Sequence, residues 1–372
     1  MARSGPKLTR IARTLGVSAA TVSNALSGKG RVSAELAEKI RATAAELGYV
    51  PSLAGRALRT GRTAVLGLVL PDIANPLFPQ IAQAIELAAS SAGYGVLIAD
   101  SRGDVATQTK AIERLIDRDV DGMVIVPRRG TRIADVGCPV AVIDTPSTPG
   151  NTVAADHWGG GRQIAEHLKA LGHRRVLVIG NNPASNVQND RIGGIRSAFG
   201  EAAFVEILWI EALEREAGKG CPLGLAEKVA EGFTAFACVS DLHALRALTE
   251  LQRAGINVPE KASVTGFDDL IWSPVVTPAL TTARMDMTRI AAIAVEALVK
   301  AIGERDPADA GIGAPVTAEN AEVPMQLVVR QSSAAPPTTQ FQPQTIANAG
   351  TTAPARTTAP ARTTAPEGEH QS

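Results

Sequence analysis

Cysteine is scarce. Cys138, Cys221 and Cys238 are the only three in 372 residues, too few and too scattered for a disulfide framework or a zinc site. Each reads as a small buried or half-buried side chain. Long apolar runs are missing too, and with none near about 18 residues no membrane span is expected. The N-terminus lacks the apolar core of a signal peptide, so the expected location is cytoplasmic, with no membrane partner. No phosphate-binding loop, no Gly-x-Gly-x-x-Gly after a strand and no cluster of metal ligands occurs. His157, His167, His173 and His243 are scattered and lack a nucleophile partner, which makes them surface or helix-end polar residues. The expectation is therefore a protein that is not an enzyme and that needs no cofactor and no metal.

Net charge is also absent, with 37 Lys and Arg against 37 Asp and Glu, but the charges are unevenly spread. Residues 1–63 hold eleven basic and three acidic side chains, a net of +8, and the remainder is −8. A basic head on an acidic body suggests that the head alone meets a polyanion. The length allows two or three domains. The hydrophobic fraction of 45% fits globular cores.

What is present begins near the start. Leu8, Ile11, Ala12 and Leu15 fall at helical spacing, and Gly16 then permits a sharp turn. Ser18 is a good N-cap for a second helix. That helix buries Val22, Ala25 and Leu26 and presents Ala19, Ala20, Thr21, Ser23 and Asn24 on its other face. Two short helices joined by a Gly-containing turn form a helix-turn-helix, whose second helix enters the DNA major groove. An ordinary helical hairpin would share this pattern. Ser33 caps a third helix, whose stripe Leu36, Ile40, Ala44 and Leu47 closes the small core, and Gly48 ends it.

From Thr63 the pattern changes. Val65–Leu70 is a continuous apolar run, as in a strand buried on both faces. Helices near 79–92 and 106–118 alternate with strands at 95–99, 122–126 and 139–143. The alternation restarts after His157: a helix to about Leu171, then strands at 175–179, 235–239 and 262–267 with helices near 191–201 and 244–254 between them. A last long helix covers about 287–302, and 323–330 reads as a closing strand. Alternation of this kind implies α/β lobes with doubly wound parallel sheets, which bind ligands at the carboxyl ends of strands, here in the cleft between two lobes. Arg128 and Arg129 follow one strand end; they could meet an anionic group or be surface charges. Beyond Gln331 the composition turns to Ala, Pro, Thr and Gln, and Thr351–Arg356 repeats as Thr357–Arg362. Such a segment cannot bury a core and is expected to be disordered.

Taken together, Gly16-Val17-Ser18, Thr21-Val22-Ser23, Arg31-Val32-Ser33, Glu46-Leu47-Gly48-Tyr49-Val50-Pro51 and Ala57-Leu58-Arg59-Thr60-Gly61-Arg62-Thr63 resemble the head and hinge of the lactose-repressor/galactose-repressor (LacI/GalR) family of bacterial transcription regulators. The likeness continues through Asn75-Pro76-Leu77-Phe78 to about Arg330. It implies a helix-turn-helix head at 1–50, a hinge helix and linker at 51–62, a two-lobed periplasmic-binding-protein-like core at 63–330 and a tail at 331–372. It also implies a repressor that binds a palindromic double-stranded operator as a homodimer and is released by a small-molecule effector, a sugar or sugar derivative. A corepressor-dependent regulator of the purine or phosphosugar type is the alternative. A solute-binding receptor explains the lobes but not the basic head.

The resemblance carries roles over residue by residue. Ala19, Ala20 and Asn24 occupy specificity-setting positions. Lys7 stands where the family often has Thr before the first helix, and is assigned to a phosphate. Arg31 follows the loop after the second helix and joins the DNA contacts. Leu58, between Arg56 and Arg59, matches the leucine that wedges into the minor groove; a contact between hinge and body is its other reading. For the effector, Asn75 and Phe78 follow the first strand, and Phe78 either lies against a ring-shaped ligand or packs in the lobe core. Asp144, Arg191 and Asp268 match a hydroxyl-binding carboxylate, an effector-binding Arg and an effector-binding acid. An empty-state ion pair between Arg191 and one of the acids is also expected. Two departures stand out: Ser240 before Asp241 where the family often has Asn, and Met287, after a Thr-Thr turn, where lactose-type members have an aromatic residue. The tail carries no leucine heptad, so the family's tetramerising element is not visible.

Overall fold

The computed structural model describes residues 8–27, 32–49, 61–131, 133, 136–305 and 320–337. The head is three helices: α1 (Leu8–Leu15), α2 (Ala19–Ser27) and α3 (Ala34–Glu46). They close on a core of Ile11, Ala12, Val22, Ala25, Ile40 and Ala44. Gly16 takes φ +66° in the turn between α1 and α2, a conformation that costs glycine little. The Ser18 hydroxyl accepts the Thr21 N–H at 3.0 Å, and the Ser33 hydroxyl that of Leu36 at 3.3 Å.

The first lobe is one six-stranded sheet in the order β11-β5-β4-β3-β1-β2. Its strands are β1 (Val65–Leu70), β2 (Gly95–Asp100), β3 (Gly122–Ile125), β4 (Val140–Asp144), β5 (Val153–Ala155) and β11 (Ala321–Val323), all parallel. The helices of this lobe are α4 (Leu77–Ser91), α5 (Val105–Ile116) and α11 (Met287–Glu304). The second lobe repeats the plan in the order β12-β10-β9-β8-β6-β7. Its strands are β6 (Arg175–Gly180), β7 (Phe204–Trp209), β8 (Ala235–Cys238), β9 (Ser263–Asp268), β10 (Thr281–Arg284) and β12 (Gln326–Val328). The last of these pairs antiparallel with β10, a reversed edge on an otherwise parallel sheet. Its helices are α6 (His157–Leu171), α7 (Asn186–Phe199), α8 (Ile210–Ala217), α9 (Leu225–Ala230) and α10 (Asp241–Arg253). Among the described residues the chain crosses between sheets three times: from β5 to α6, from β10 to α11 and from β11 to β12.

Several sequence expectations need correction. The closing strand expected at 323–330 is two strands, one in each lobe. Pro324 has no N–H to donate, and the break there lets the chain change sheets. The segment 204–209, to which the sequence pattern assigns no element, is β7, an edge strand half exposed along its length, so it lacks the solid apolar run of a central strand. Helices α8 and α9 and the short strand β5 were likewise not foreseen. The Thr281-Thr282 stretch, expected as a turn, is strand β10. Helix α4 starts at Leu77, two residues before expectation, because the Asn75 side chain accepts the Leu77 N–H at 3.1 Å. Helix α7 starts at Asn186 under a Ser185 cap, which places Arg191 well inside the helix.

The tail boundary also moves. Ser332 is fully buried. Its hydroxyl donates to the Val264 carbonyl at 2.6 Å, and its own carbonyl accepts the Val264 N–H at 2.8 Å. The Ala334 carbonyl accepts from His173 at 3.0 Å. Hydrogen bonds from both backbone and side chains, not composition, fasten these residues to the second lobe. His173 and His157 are buried rather than surface residues, 1% and 6% exposed.

Candidate functional site

A cleft of about 890 Å³ lies between the lobes at the carboxyl ends of both sheets. Every residue assigned to the effector lines it: Asn75, Phe78 and Asp144 from the first lobe, Arg191, Ser240 and Asp268 from the second, and Met287 at the crossing into α11. Phe78 lines the cleft and also packs against the lobe core. Arg128 and Arg129 reach the wall as well, the first half-buried and the second exposed.

The floor is a buried ion pair. Arg191 Nη2 lies 2.9 Å from Asp268 Oδ1, with both side chains under 5% exposed. Arg191 also donates from Nη1 to the Val239 carbonyl at 2.6 Å and from Nε to His157 Nδ1 at 3.3 Å. Its guanidinium stacks 4.7 Å from the Phe267 ring centroid. Burial, then the Arg191 charge, holds His157 well below the ordinary imidazole range, so the ring is neutral and Nδ1 is free to accept. Burial pushes the Asp268 carboxyl up, and Arg191 pulls it part of the way back. Asp268 has φ +102° and Asp269 φ +51°. Such strain costs roughly 1–3 kcal/mol per residue and persists where neighbours over-determine it. Asp269 is held by Arg284 and Arg330, each at 2.7 Å.

Asp144 faces this pair from the first lobe. Its carboxylate accepts the Thr148 hydroxyl, and its N–H donates to Asn151 Oδ1 at 3.0 Å. Burial raises its pKa to about 6, against the Thr148 hydrogen bond and with help from the Asp190 charge. Ser240 caps α10 and shares a 2.8 Å hydrogen bond with His243 Nδ1.

Behind Ser240, Asp241 is fully buried and accepts from Thr282 at 2.6 Å, Ser273 at 2.5 Å and the Leu270 N–H at 2.8 Å. Burial and the Asp268 charge raise its pKa to about 7. A carboxyl whose folded pKa lies above its unfolded value binds more protons folded, so stability rises as pH falls through the folded value. The buried histidines oppose this over the same range, because an unfolded imidazole with a pKa of about 6.5 is already half charged at that pH. The Asp241 contribution is therefore read against a variant: lowering pH from 8 to 6.5 is expected to stabilise the wild-type protein by about 1 kcal/mol relative to Asp241→Asn, and parallel melting-temperature profiles of the two proteins would remove Asp241 as the source.

Sequence reasoning missed one side of the cleft. Gln188 Oε1 accepts the N–H groups of Asn181 and Asn182, at 2.7 and 3.2 Å, and Asn181 donates to Glu211 at 3.1 Å. Asn181 follows a strand end just as Asp144 does, so the same rule would have found it. Glu211 depends on β7 and α8, which were not foreseen.

In the head, Ala20 and Asn24 are exposed one turn apart on α2, and Thr21 and Ser23 are half-buried. Ser18 and Thr21 share a 2.8 Å hydroxyl contact. Ala19 packs partly against the head core instead of standing clear of it. Lys7, Arg31, Arg56, Leu58 and Arg59 lie outside the described residues. Among those that are described, no group of His, Cys, Asp and Glu could hold a metal, and no helix is long and apolar enough to cross a membrane.

A helix-turn-helix head joined to a two-lobed, cleft-bearing α/β core defines a DNA-binding regulator with a small-molecule-binding body. Residues 7–52 match the family model of bacterial regulatory proteins of the lacI family, and residues 165–333 that of the periplasmic binding protein-like domain. The chain is 32% identical over 285 residues to the HTH-type transcriptional regulator DegA of Bacillus subtilis, across 73% of this chain and 84% of that one. It is 29% identical over 301 residues to a ribose operon repressor of Haemophilus influenzae, across 78% and 90%. A crystal structure of the lac repressor dimer bound to operator and the anti-inducer ONPF superposes with a TM-score of 0.71 at 25% identity, over 89% of this chain and all of that one. The chain belongs to the LacI family of transcription regulators.

Proposed function

We propose that this protein is a repressor that binds a palindromic operator as a homodimer and releases it when a sugar or sugar derivative closes the cleft. The observation that carries the effector reading is the buried Arg191–Asp268 pair with Asp144 opposite it. Two carboxylates and a guanidinium can serve several vicinal hydroxyls at once, the acids accepting and the Arg donating. Phe78 supplies an apolar face for a ring. Arg128 and Arg129 on the wall support a second reading, a phosphorylated sugar. On the DNA side, Ala20, Thr21, Ser23 and Asn24 of α2 read base edges. Lys7, Ser18, Arg31, Arg56 and Arg59 hold phosphates, and Leu58 wedges into the minor groove.

A thermal-shift screen of sugars, sugar phosphates and purines tests the effector. A compound at one hundred times its dissociation constant adds about 2.7 kcal/mol, and Asp144→Ala should cut that gain while leaving operator binding in a gel shift largely intact. Stabilisation by purines alone would overturn the sugar reading. An undiminished shift in Asp144→Ala would place the effector elsewhere.

A further inference from the structure

Helix α11 spans the body from the cleft to the segment that leads to the head. Its first turn, Met287, Ile290 and Ala291, lines the cleft just after the chain has crossed from the second lobe. Its 18 residues make a rod of about 27 Å. At the far end, Arg62 donates to the carbonyls of Ile302 at 2.6 Å and Arg305 at 3.4 Å. A guanidinium on the last carbonyls of a helix is favoured by the helix dipole as well as by the hydrogen bonds.

The residues that follow Arg62 are held by a different element. Asp121, which precedes β3, accepts the N–H groups of Thr63 and Ala64, each at 2.8 Å, and the Thr63 hydroxyl donates to the Asp119 carbonyl at 2.9 Å. Ala64 is forced to φ +56°, a strained state for alanine. The helix end and β3 are themselves closely keyed. A Cβ on Gly122 would lie 2.9 Å from a Leu298 methyl and 3.1 Å from an Ile302 methyl. A side chain here would make those two methyls give way and would also come within 3.1 Å of the Pro139 carbonyl, so glycine keeps the rod close to the strand. That contact lies near the end of the helix that carries the carbonyls holding Arg62, and far from its cleft end.

We propose that α11 is the lever that couples the cleft to the DNA-binding head, with Arg62 as its grip. A shift of the cleft end tilts the rod on Gly122. The tilt moves the acceptors of Arg62 against Thr63 and Ala64, which stay fixed on Asp121. The backbone between residues 62 and 63 takes up the difference, at the end of the segment 51–62 assigned to the hinge helix and linker. The coupling rests on the regulator reading given above.

A double-mutant cycle on the full-length protein tests the lever without any effector. The probe is a duplex selected from a random pool by the wild-type protein. Met287→Trp perturbs the cleft end and Arg62→Ala removes the grip. Sites this far apart without a shared partner give additive effects. A working lever makes Met287→Trp change duplex affinity by about five-fold or more in the wild-type background and by less than about two-fold in the Arg62→Ala background. Equal fold-changes in both backgrounds, no change in either included, overturn the lever and leave Arg62 a structural clamp. If Arg62→Ala does not fold, the cycle is run with Asp121→Asn, which loosens the fixed side of the same joint and carries the same expectation. Failure of the wild-type protein to select any duplex would overturn the regulator reading, and the lever with it.

Discussion

Asp268→Asn is expected to lower the melting temperature by on the order of 10 °C and to abolish the effector response. The substitution keeps the shape of the side chain, and Asn tolerates the left-handed backbone at this position. What it removes is the charge facing Arg191, whose side chain is 4% exposed. Arg stays charged at any accessible pH, so the guanidinium is left buried against a neutral amide. Breaking one side of such a pair costs about 3–5 kcal/mol. The reverse change is asymmetric. In Arg191→Met, Asp268 can escape its own burial by taking a proton, so the loss is smaller and shrinks as pH falls. With both charges gone, Arg191→Met/Asp268→Asn should recover much of the stability of the single variants. None of the three should respond to the sugar that stabilises the wild-type protein, because each lacks at least one charged group of the Arg191–Asp268 pair proposed to bind its hydroxyls. Thermal melts and gel-shift titrations of the three variants separate the two effects. Wild-type melting of Asp268→Asn would show that the pair is not what holds the cleft floor, and a normal response in the double variant would move the effector off it.

Asn24→Arg is expected to change the base preferred at one position of each half-site. The helix geometry supports the choice of residue. Val22 and Ala25 are buried in the head core, whereas Ala20 and Asn24 are exposed one turn apart. Ala20 adds only a methyl to that face beside Asn24. Asn pairs bidentately with adenine and Arg with guanine, each good pair giving about 1–3 kcal/mol of discrimination. The switch in preference should therefore lie between about five-fold and more than a hundred-fold. Selection from a random duplex pool, run in parallel on the two proteins, reads this directly. The same base recovered at every position by both would remove Asn24 from the readout. A uniform loss across all positions would instead make it a backbone contact.

The head and the paired lobes could be read from the sequence because their signals are local. The helix-turn-helix needs only a Gly that can take φ +66°, a Ser that can cap and an apolar stripe at helical spacing, and all three lie within a dozen residues. Interior strands such as Val65–Leu70 and, past its exposed Arg175, Arg175–Gly180 are apolar because both of their faces are covered. Strand carboxyl ends mark the cleft, and Asp144 and Asp268, assigned through the family resemblance, stand at two such ends and line it. Tertiary structure decided whatever depends on partners distant in the chain. β7 is an edge strand with a mixed pattern, and its pairing with β6 makes it a strand. Pro324 divides what looks like one strand because two sheets compete for its ends. Ser332 to Ala334 read as the start of a tail, yet hydrogen bonds to Val264, Ser263 and His173 hold them to the second lobe. The choice of Asp268 over Asp144 as the partner of Arg191 was left open by the sequence. It is settled by which strand end lies under α7, because a charge buried this deeply is stable only where an opposite charge already sits within hydrogen-bonding reach.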